Sequence, residues 1–240
     1  MKKQRINNKW LVITGASSGI GLATAELFLE HNFMVINLSR KLSSTIGVIN
    51  LQVDLAQKGF EDSLKPALLS YIENAEVIIL VHNAALLEKD ATHQIMADDF
   101  RRVLEINVVA PTILNQILLP VMKPGSAIIY IGSTLSEKAV PRTFSYVTSK
   151  HATIGMMRAT CQDLIDTGIH TACICPGFTD TQMLRTQLNN DELIIAQIKN
   201  SNSQHRLIKP AEIAQTIYFV AIQPVLNDAI IHANLGQRQS

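Results

Sequence analysis

A short apolar run that breaks into glycine constrains this chain most. Trp10-Leu11-Val12-Ile13 is apolar throughout, the composition of a strand covered on both faces. Thr14-Gly15-Ala16-Ser17-Ser18-Gly19-Ile20-Gly21 follows at once, and apolar residues then recur at Ile20, Ala23, Leu27 and Phe28 with helical spacing. A doubly covered strand that feeds a helix predicts a parallel sheet, whose crossover helices lie on its faces. At such a junction glycines permit a tight turn and close approach of backbone to a phosphate, with the positive end of the helix facing the anion. The spacing is Gly-x3-Gly-x-Gly, and no Lys-Ser/Thr pair follows the last glycine as a Walker A loop requires. Its place after the first buried strand favours nucleotide binding over a turn that holds nothing.

The alternation continues to the end of the chain. Strands are expected at 34–38, 48–53, 77–81, 127–131, 170–175 and 228–233. Helices are expected at 57–71, 98–119, 144–165 and 210–221, with Pro66 and Pro111 marking a kink, a first turn or a break, and Gly168 a C-cap. The predicted fold is α/β, with residues 1–240 forming a single Rossmann-like domain. It has a doubly wound parallel sheet of about seven strands and helices on both faces. The connection 39–47 is too short for a crossover helix and must be a shortened turn or one helical turn. Residues 179–207 read as a polar, irregular, mobile loop over the substrate.

Net charge is +1 and aromatic residues make up 5% of the chain, which excludes a nucleic-acid footprint and a base-stacking platform. The basic start Lys2-Lys3-Gln4-Arg5 is followed by Asn7, Asn8 and Lys9 rather than an apolar segment, so no signal peptide is expected. The apolar runs have strand length, and no membrane span is expected. Cys161, Cys173 and Cys175 are odd in number and lack metal-ligand spacing. They read as buried thiols of a reducing compartment, and the chain as cytoplasmic.

Tyr146 and Lys150 share one face of the helix expected at 144–165. A cation beside a phenol lowers its pKa from about 10 and lets it act as an acid or base near neutrality. Ser133 lies just past the fifth strand, where side chains enter the ligand crevice of such sheets; Thr134 is the competing hydroxyl. Asp54 ends the third strand and would serve equally as a helix N-cap. His82, just after a buried strand, reads as structural rather than catalytic.

Taken together these segments resemble the classical short-chain dehydrogenase/reductase family over nearly the whole chain. The resemblance is carried by residues 14–21, Asp54-Leu55, Asn83-Ala84-Ala85, Asn107, Ser133, Tyr146 with Lys150, and Pro176-Gly177 with Thr181. His82 and Ala85 depart from the family's Asn-Asn-Ala-Gly. The resemblance implies a catalytic set of Asn107, Ser133, Tyr146 and Lys150, with Asn107 extending a proton relay from the lysine. It implies cofactor contacts from Gly15, Ser17, Ser18, Gly19, Ile20 and Gly21 in the turn, and from Ser39 and Arg40 at the ribose. Asp54 and Leu55 belong to the adenine site, and Asn83, Ala84 and Ala85 to the strand end beside it. Tyr146, Lys150, Pro176, Gly177, Thr179 and Thr181 belong to the nicotinamide end.

Ser39-Arg40 stands where an acid would bind the ribose 2′-hydroxyl of NAD, so NADP(H) is favoured and NAD(H) is the alternative. Ser17-Ser18 lack the basic residue that many NADP-using relatives carry. The implied activity is hydride transfer between nicotinamide and a small carbonyl or alcohol, with Tyr146 as general acid/base and a homodimer or homotetramer as the assembly. A dinucleotide-binding sensor or scaffold without catalysis is the alternative. No metal, nucleic acid or membrane partner is implied. The pocket loops at 86–97, 134–144 and 179–207 show no distinctive charge pattern, and the substrate stays unassigned.

Overall fold

The computed structural model describes residues 8–238. The basic start at residues 2–5 lies outside them. Seven strands form one sheet in the order β3-β2-β1-β4-β5-β6-β7, every pair parallel. They are β1 (Lys9–Thr14), β2 (Met34–Ser39), β3 (Val48–Gln52), β4 (Val77–His82), β5 (Ala127–Ile131), β6 (His170–Pro176) and β7 (Ala229–Ala233). The order reverses between β1 and β4, and ligands bind at that switch point in open parallel sheets.

The apolar runs have their cause in two cores, one on each face. Trp10 and Val12 of β1 enter the core beneath α2 (Phe60–Ile72), α4 (Ala110–Leu118) and α5 (Phe144–Asp163). Leu11 and Ile13 enter the other, beneath α1 (Gly19–Glu30) and α8 (Pro210–Ala221). With both faces covered, successive residues must all be apolar.

Five regions refine or depart from the sequence expectation. The connection 39–47 takes the first of the two forms expected, a shortened turn with no helical turn. A buried and a half-buried amide organise it: Asn37 Nδ2 donates to Asn50 Oδ1 at 2.9 Å, and Asn50 Oδ1 accepts the Ser43 N–H at 2.8 Å. Asn37 Oδ1 also accepts the Ala16 N–H at 2.9 Å, which ties this connection to the glycine turn. In α2, which starts at Phe60, Pro66 lies within the helix rather than in its first turn.

The helix expected at 98–119 is divided. α3 (Ala97–Leu104) passes into a π-helical turn at Glu105–Val109, then α4, then a 3₁₀ turn at Leu119–Val121. Pro111 has no N–H to give the Asn107 carbonyl, and the helix widens just before it. The rod Ala97–Val121 spans 25 residues and contains an 18-residue window of mean hydropathy 1.4, long and apolar enough to cross a membrane, unlike the strand-length runs in the sequence. In this fold Leu114, Ile117 and Leu118 pack it against the sheet.

Gly168 does not cap α5. The cap is Leu164, and Gly168 takes φ +70 in the turn into β6. Residues 179–207, expected to be irregular, hold two helices, α6 (Gln182–Gln187) and α7 (Glu192–Lys199). Thr181 Oγ1 caps α6 by accepting from Leu184 N–H at 3.2 Å, and Asp191 Oδ1 caps α7 by accepting from Leu193 N–H at 2.9 Å.

Candidate active site

A cleft of about 780 Å³ runs along the carboxyl ends of the strands. At one end it is walled by Asp54, Leu55, Ser39 and Arg40, and at the other by Ser133, Tyr146, Gly177 and α6. The glycine turn lies between. Gly15 (φ +74) and Gly19 (φ +57) occupy the left-handed region that glycine tolerates. Gly21 answers a packing demand, because a Cβ there would meet the Gly15 carbonyl oxygen at 2.3 Å and Asn83 Nδ2 at 2.6 Å. Asn83 holds this junction together: its Nδ2 donates to Thr14 O at 2.9 Å, and its N–H donates to Thr14 Oγ1 at 3.0 Å. Ala84 N–H reaches the same hydroxyl at 2.9 Å. Ser17, Ser18, Gly19, Ile20, Ala84 and Ala85 all face the cleft.

At the β2 end Ser39 Oγ lies 3.4 Å from Ser17 Oγ, and Arg40 is exposed with no ion pair among the described residues. Asp54 uses Oδ1 to accept the Ala56 N–H at 3.0 Å, so it caps a turn while lining the cleft. Gly177 has no room for a side chain, since a Cβ would meet Asn234 Cα at 2.9 Å. Thr179 is buried and donates to Gly177 O at 3.1 Å. Thr181 lays its γ-methyl 3.1 Å from where a Gly19 Cβ would sit.

The chemistry-bearing side chains meet where β5 and β6 present their ends to α5. Asp90 fixes the helix start: its Oδ1 accepts the Ser145 N–H at 3.0 Å and its Oδ2 accepts the Ser145 hydroxyl. Tyr146 is buried on the next residue, and burial pushes its phenol up to about 12, opposed by the Ser133 hydroxyl. This corrects the expected direction: the lysine does not lower the phenol in this cleft, because desolvation dominates. Lys150 Nζ lies 5.5 Å from the centre of the Tyr146 ring and donates to Ile131 O at 2.6 Å. Burial lowers its pKa to about 8.

Ser133 lines the cleft and also caps the short turn that follows it. Its Oγ accepts the Leu135 N–H at 3.1 Å, while its own N–H donates to Ser136 Oγ at 3.0 Å. The turn thus occupies a lone pair of the Ser133 hydroxyl and leaves its proton to donate. Asn107 sits in the π turn with its amide fully engaged. Oδ1 accepts the Leu86 N–H at 2.8 Å, and Nδ2 donates to Leu86 O at 3.0 Å and Ser149 Oγ at 2.9 Å. Only its backbone carbonyl is left for a relay.

His82 does not line the cleft. Its Nε2 bonds Asn115 Oδ1 at 2.8 Å, its ring packs on Tyr130, and burial lowers its pKa to about 4. Cys173 and Cys175 lie side by side with sulfurs 3.9 Å apart, and contact with Cys175 together with burial pushes the Cys173 thiol up.

Several functional positions had no sequence signal. Asp90 acts on Ser145 from 55 residues away. Gln187 of α6 donates to Leu87 O at 2.8 Å and latches the two walls of the cleft. Gln237 Oε1 is buried without a partner next to Gly177. Lys89, Lys138 and Arg142, from two loops without distinctive charge patterns, line the same end of one cleft.

Comparison with known proteins gives the same outline. Residues 9–192 match the family described as short chain dehydrogenase. An uncharacterized oxidoreductase of Thermotoga maritima is 30% identical over 225 residues, 89% of this chain and 90% of that protein. The structure of a 4-hydroxyisoleucine dehydrogenase complexed with NADH superposes with TM-score 0.84 at 26% identity, covering 95% of this chain and 98% of that one. A blue fluorescent protein from a metagenomic library, complexed with NADPH, shares the fold with TM-score 0.85 at 24% identity, covering 97% and 99%.

Proposed function

This chain belongs to the short chain dehydrogenase family, and on that premise we propose that it is an NADP(H)-dependent oxidoreductase interconverting a carbonyl and an alcohol, with Tyr146 as the proton-transferring group. The observation that carries the reading is the convergence of Ser133, Tyr146 and Lys150 in a cleft continuous with the glycine turn. The residues fit a dinucleotide. The turn is kept bare by Gly15, Gly19 and Gly21, and Gln237 Oε1 is an orphaned buried acceptor at the far end that lacks a donor. The turn would hold the pyrophosphate, Asp54 and Leu55 the adenosine, Arg40 a 2′-phosphate, and residues 176–181 the nicotinamide. When bound, NADPH supplies the hydride that reduces the carbonyl carbon.

The chain's own residues handle the oxygen. Ser133 donates its free proton to the substrate oxygen. Tyr146, with its pKa near 12, holds its proton at neutral pH and gives it to that oxygen as the C–O bond becomes an alcohol. One hydride and one proton thus account for the reduction. The Lys150 ammonium stabilises the phenolate left behind, and its own proton is exchangeable because its pKa lies near 8. Arg40 supports NADP(H): a guanidinium that forms no ion pair among the described residues attracts a phosphate dianion. A cofactor-preference assay on an aldehyde and ketone panel tests the reading. NADPH oxidation that vanishes in Tyr146→Phe is the expected result, and clear NADH preference would remove Arg40 from the proposal.

A further inference from the structure

We infer that the substrate end of this cleft selects carbonyl and alcohol compounds that carry an anionic group (carboxylate, sulfonate or phosphate) on an apolar body. The inference rests on the oxidoreductase reading above and names its substrate class. Three cations line that end: Lys89 from the loop after β4, and Lys138 and Arg142 from the segment between β5 and α5. None forms an ion pair among the described residues. Among the described residues the only carboxylate lining the cleft is Asp54, at the opposite end.

The neighbouring acids are engaged elsewhere or do not line the cleft. Asp90 is turned to Ser145, Glu137 lies 2.9 Å from His232 Nε2, and Glu88 does not line the cleft. The two loops are joined by backbone. Asp90 N–H donates to Arg142 O at 3.2 Å, and a parallel bridge pairs Asp90 with Thr143. That join brings the Lys89 and Arg142 backbones together.

Arg142 adds an independent observation. It takes φ +62, a left-handed conformation uncommon for residues other than glycine. Glycine would fill that position without strain, so the arginine side chain is kept at a backbone cost. Leu86, Leu87, Val140 and Met183 give the same cleft an apolar lining. An apolar wall with unpaired cations at its rim complements a molecule with a hydrophobic middle and an anionic tail. Its cations repel a cationic one.

The test uses matched pairs on the full chain: 5-oxohexanoate against its methyl ester, with the corresponding terminal sulfonate and phosphate ketones as further arms. Binding is measured by calorimetry at low salt, with NADP⁺ present and absent, and turnover with NADPH and NADH. The acids are expected to bind about tenfold more tightly than the ester, the range of a charge-assisted hydrogen bond. The advantage should shrink in about 1 M salt, where screening is short-ranged.

Arg142→Gly, which keeps the left-handed backbone, combined with Lys138→Gln should erase the preference, and Arg142→Lys should retain most of it. The order among the three arms tells which anion the rim fits. Acids that bind no better than the ester, or a preference that survives the double variant, overturn the anion site even if both are reduced. Tight acid binding without turnover by either cofactor leaves the anion site standing and removes the oxidoreductase reading.

Discussion

The two ends of the cleft are made by different means. The dinucleotide end is built from strand termini and the first turns after them, and contiguous residues hold it together: Gly15 to Gly21 after β1, Ser39-Arg40 at the end of β2, Asp54 just past β3. The substrate end is assembled from loops more than 100 residues apart in the chain, from Leu86 to Gln237, and is joined by single contacts such as Gln187 to Leu87. A site built on strand ends inherits its geometry from the sheet. A site built from loops inherits it from whichever side chains bridge them, so it can change ligand without disturbing the fold.

The largest effect that sharpens this contrast is chemical. Tyr146→Phe should lower kcat by about 10²–10⁴-fold, the usual range for a general acid. Titration of cofactor fluorescence should show binding unchanged, and lost binding would place Tyr146 in the dinucleotide end alone. The scaffold between the ends comes second. His82 has its pKa depressed from 6.5 to about 4 by burial, so between those values the unfolded chain binds a proton that the folded chain does not. Stability is full above pH 6.5 and is lost as pH falls towards 4, by about 3 kcal/mol from this residue. Thermal melts across that window should lose the corresponding slope in His82→Gln.

Gly21→Ala follows, placing a methyl 2.3 Å from the Gly15 carbonyl. Overpacking of this kind destabilises by about 1–3 kcal/mol, and the melting temperature should fall even without cofactor. Arg40→Ala should weaken NADPH relative to NADH by about tenfold, the worth of one charge-assisted contact, measured as a ratio of KM values. The smallest effect runs the other way. Gly155 lies within α5 with nothing within 4 Å of a Cβ, so Gly155→Ala should stabilise by about 0.5–1 kcal/mol in a denaturant titration.

The same contrast explains what could be read from the chain alone. Strand–helix alternation, the seven-strand parallel sheet and the family were legible because each rests on local pattern: doubly buried strands are continuously apolar, and Tyr146 and Lys150 share a helix face. The helices of 179–207 were not legible, because their capping residues Thr181 and Asp191 sit in a polar stretch whose apolar side chains repeat only briefly. The direction of the Tyr146 shift was missed because spacing shows that a cation is near but not how dry the phenol is. The amide clamp of Asn37 and Asn50 was missed because a strand asparagine looks like a break in the pattern until its partner is known. The rim cations were missed because they come from two loops distant in the chain, where Lys89 and Lys138 each stand next to an acid in the sequence.

The π turn at Glu105–Val109 gives the long helix a change of phase. Such a turn amounts to one extra residue threaded into an α-helix, and one residue is worth about 100° of rotation. Without it, the buried side of α3 at Val103 would continue straight into α4. With it, α4 turns a new side inward, Leu114 and Leu118 fill the core, and Asn107 points at the junction where it can grip both Leu86 and Ser149. Removal of one residue from 105–109 would leave a straighter rod of nearly the same composition. The core would be offered the wrong side of α4, or Leu86 would lose its anchor. An insertion that looks like a local irregularity thus sets the angular register between the packed half of this rod and the half that reaches the cleft.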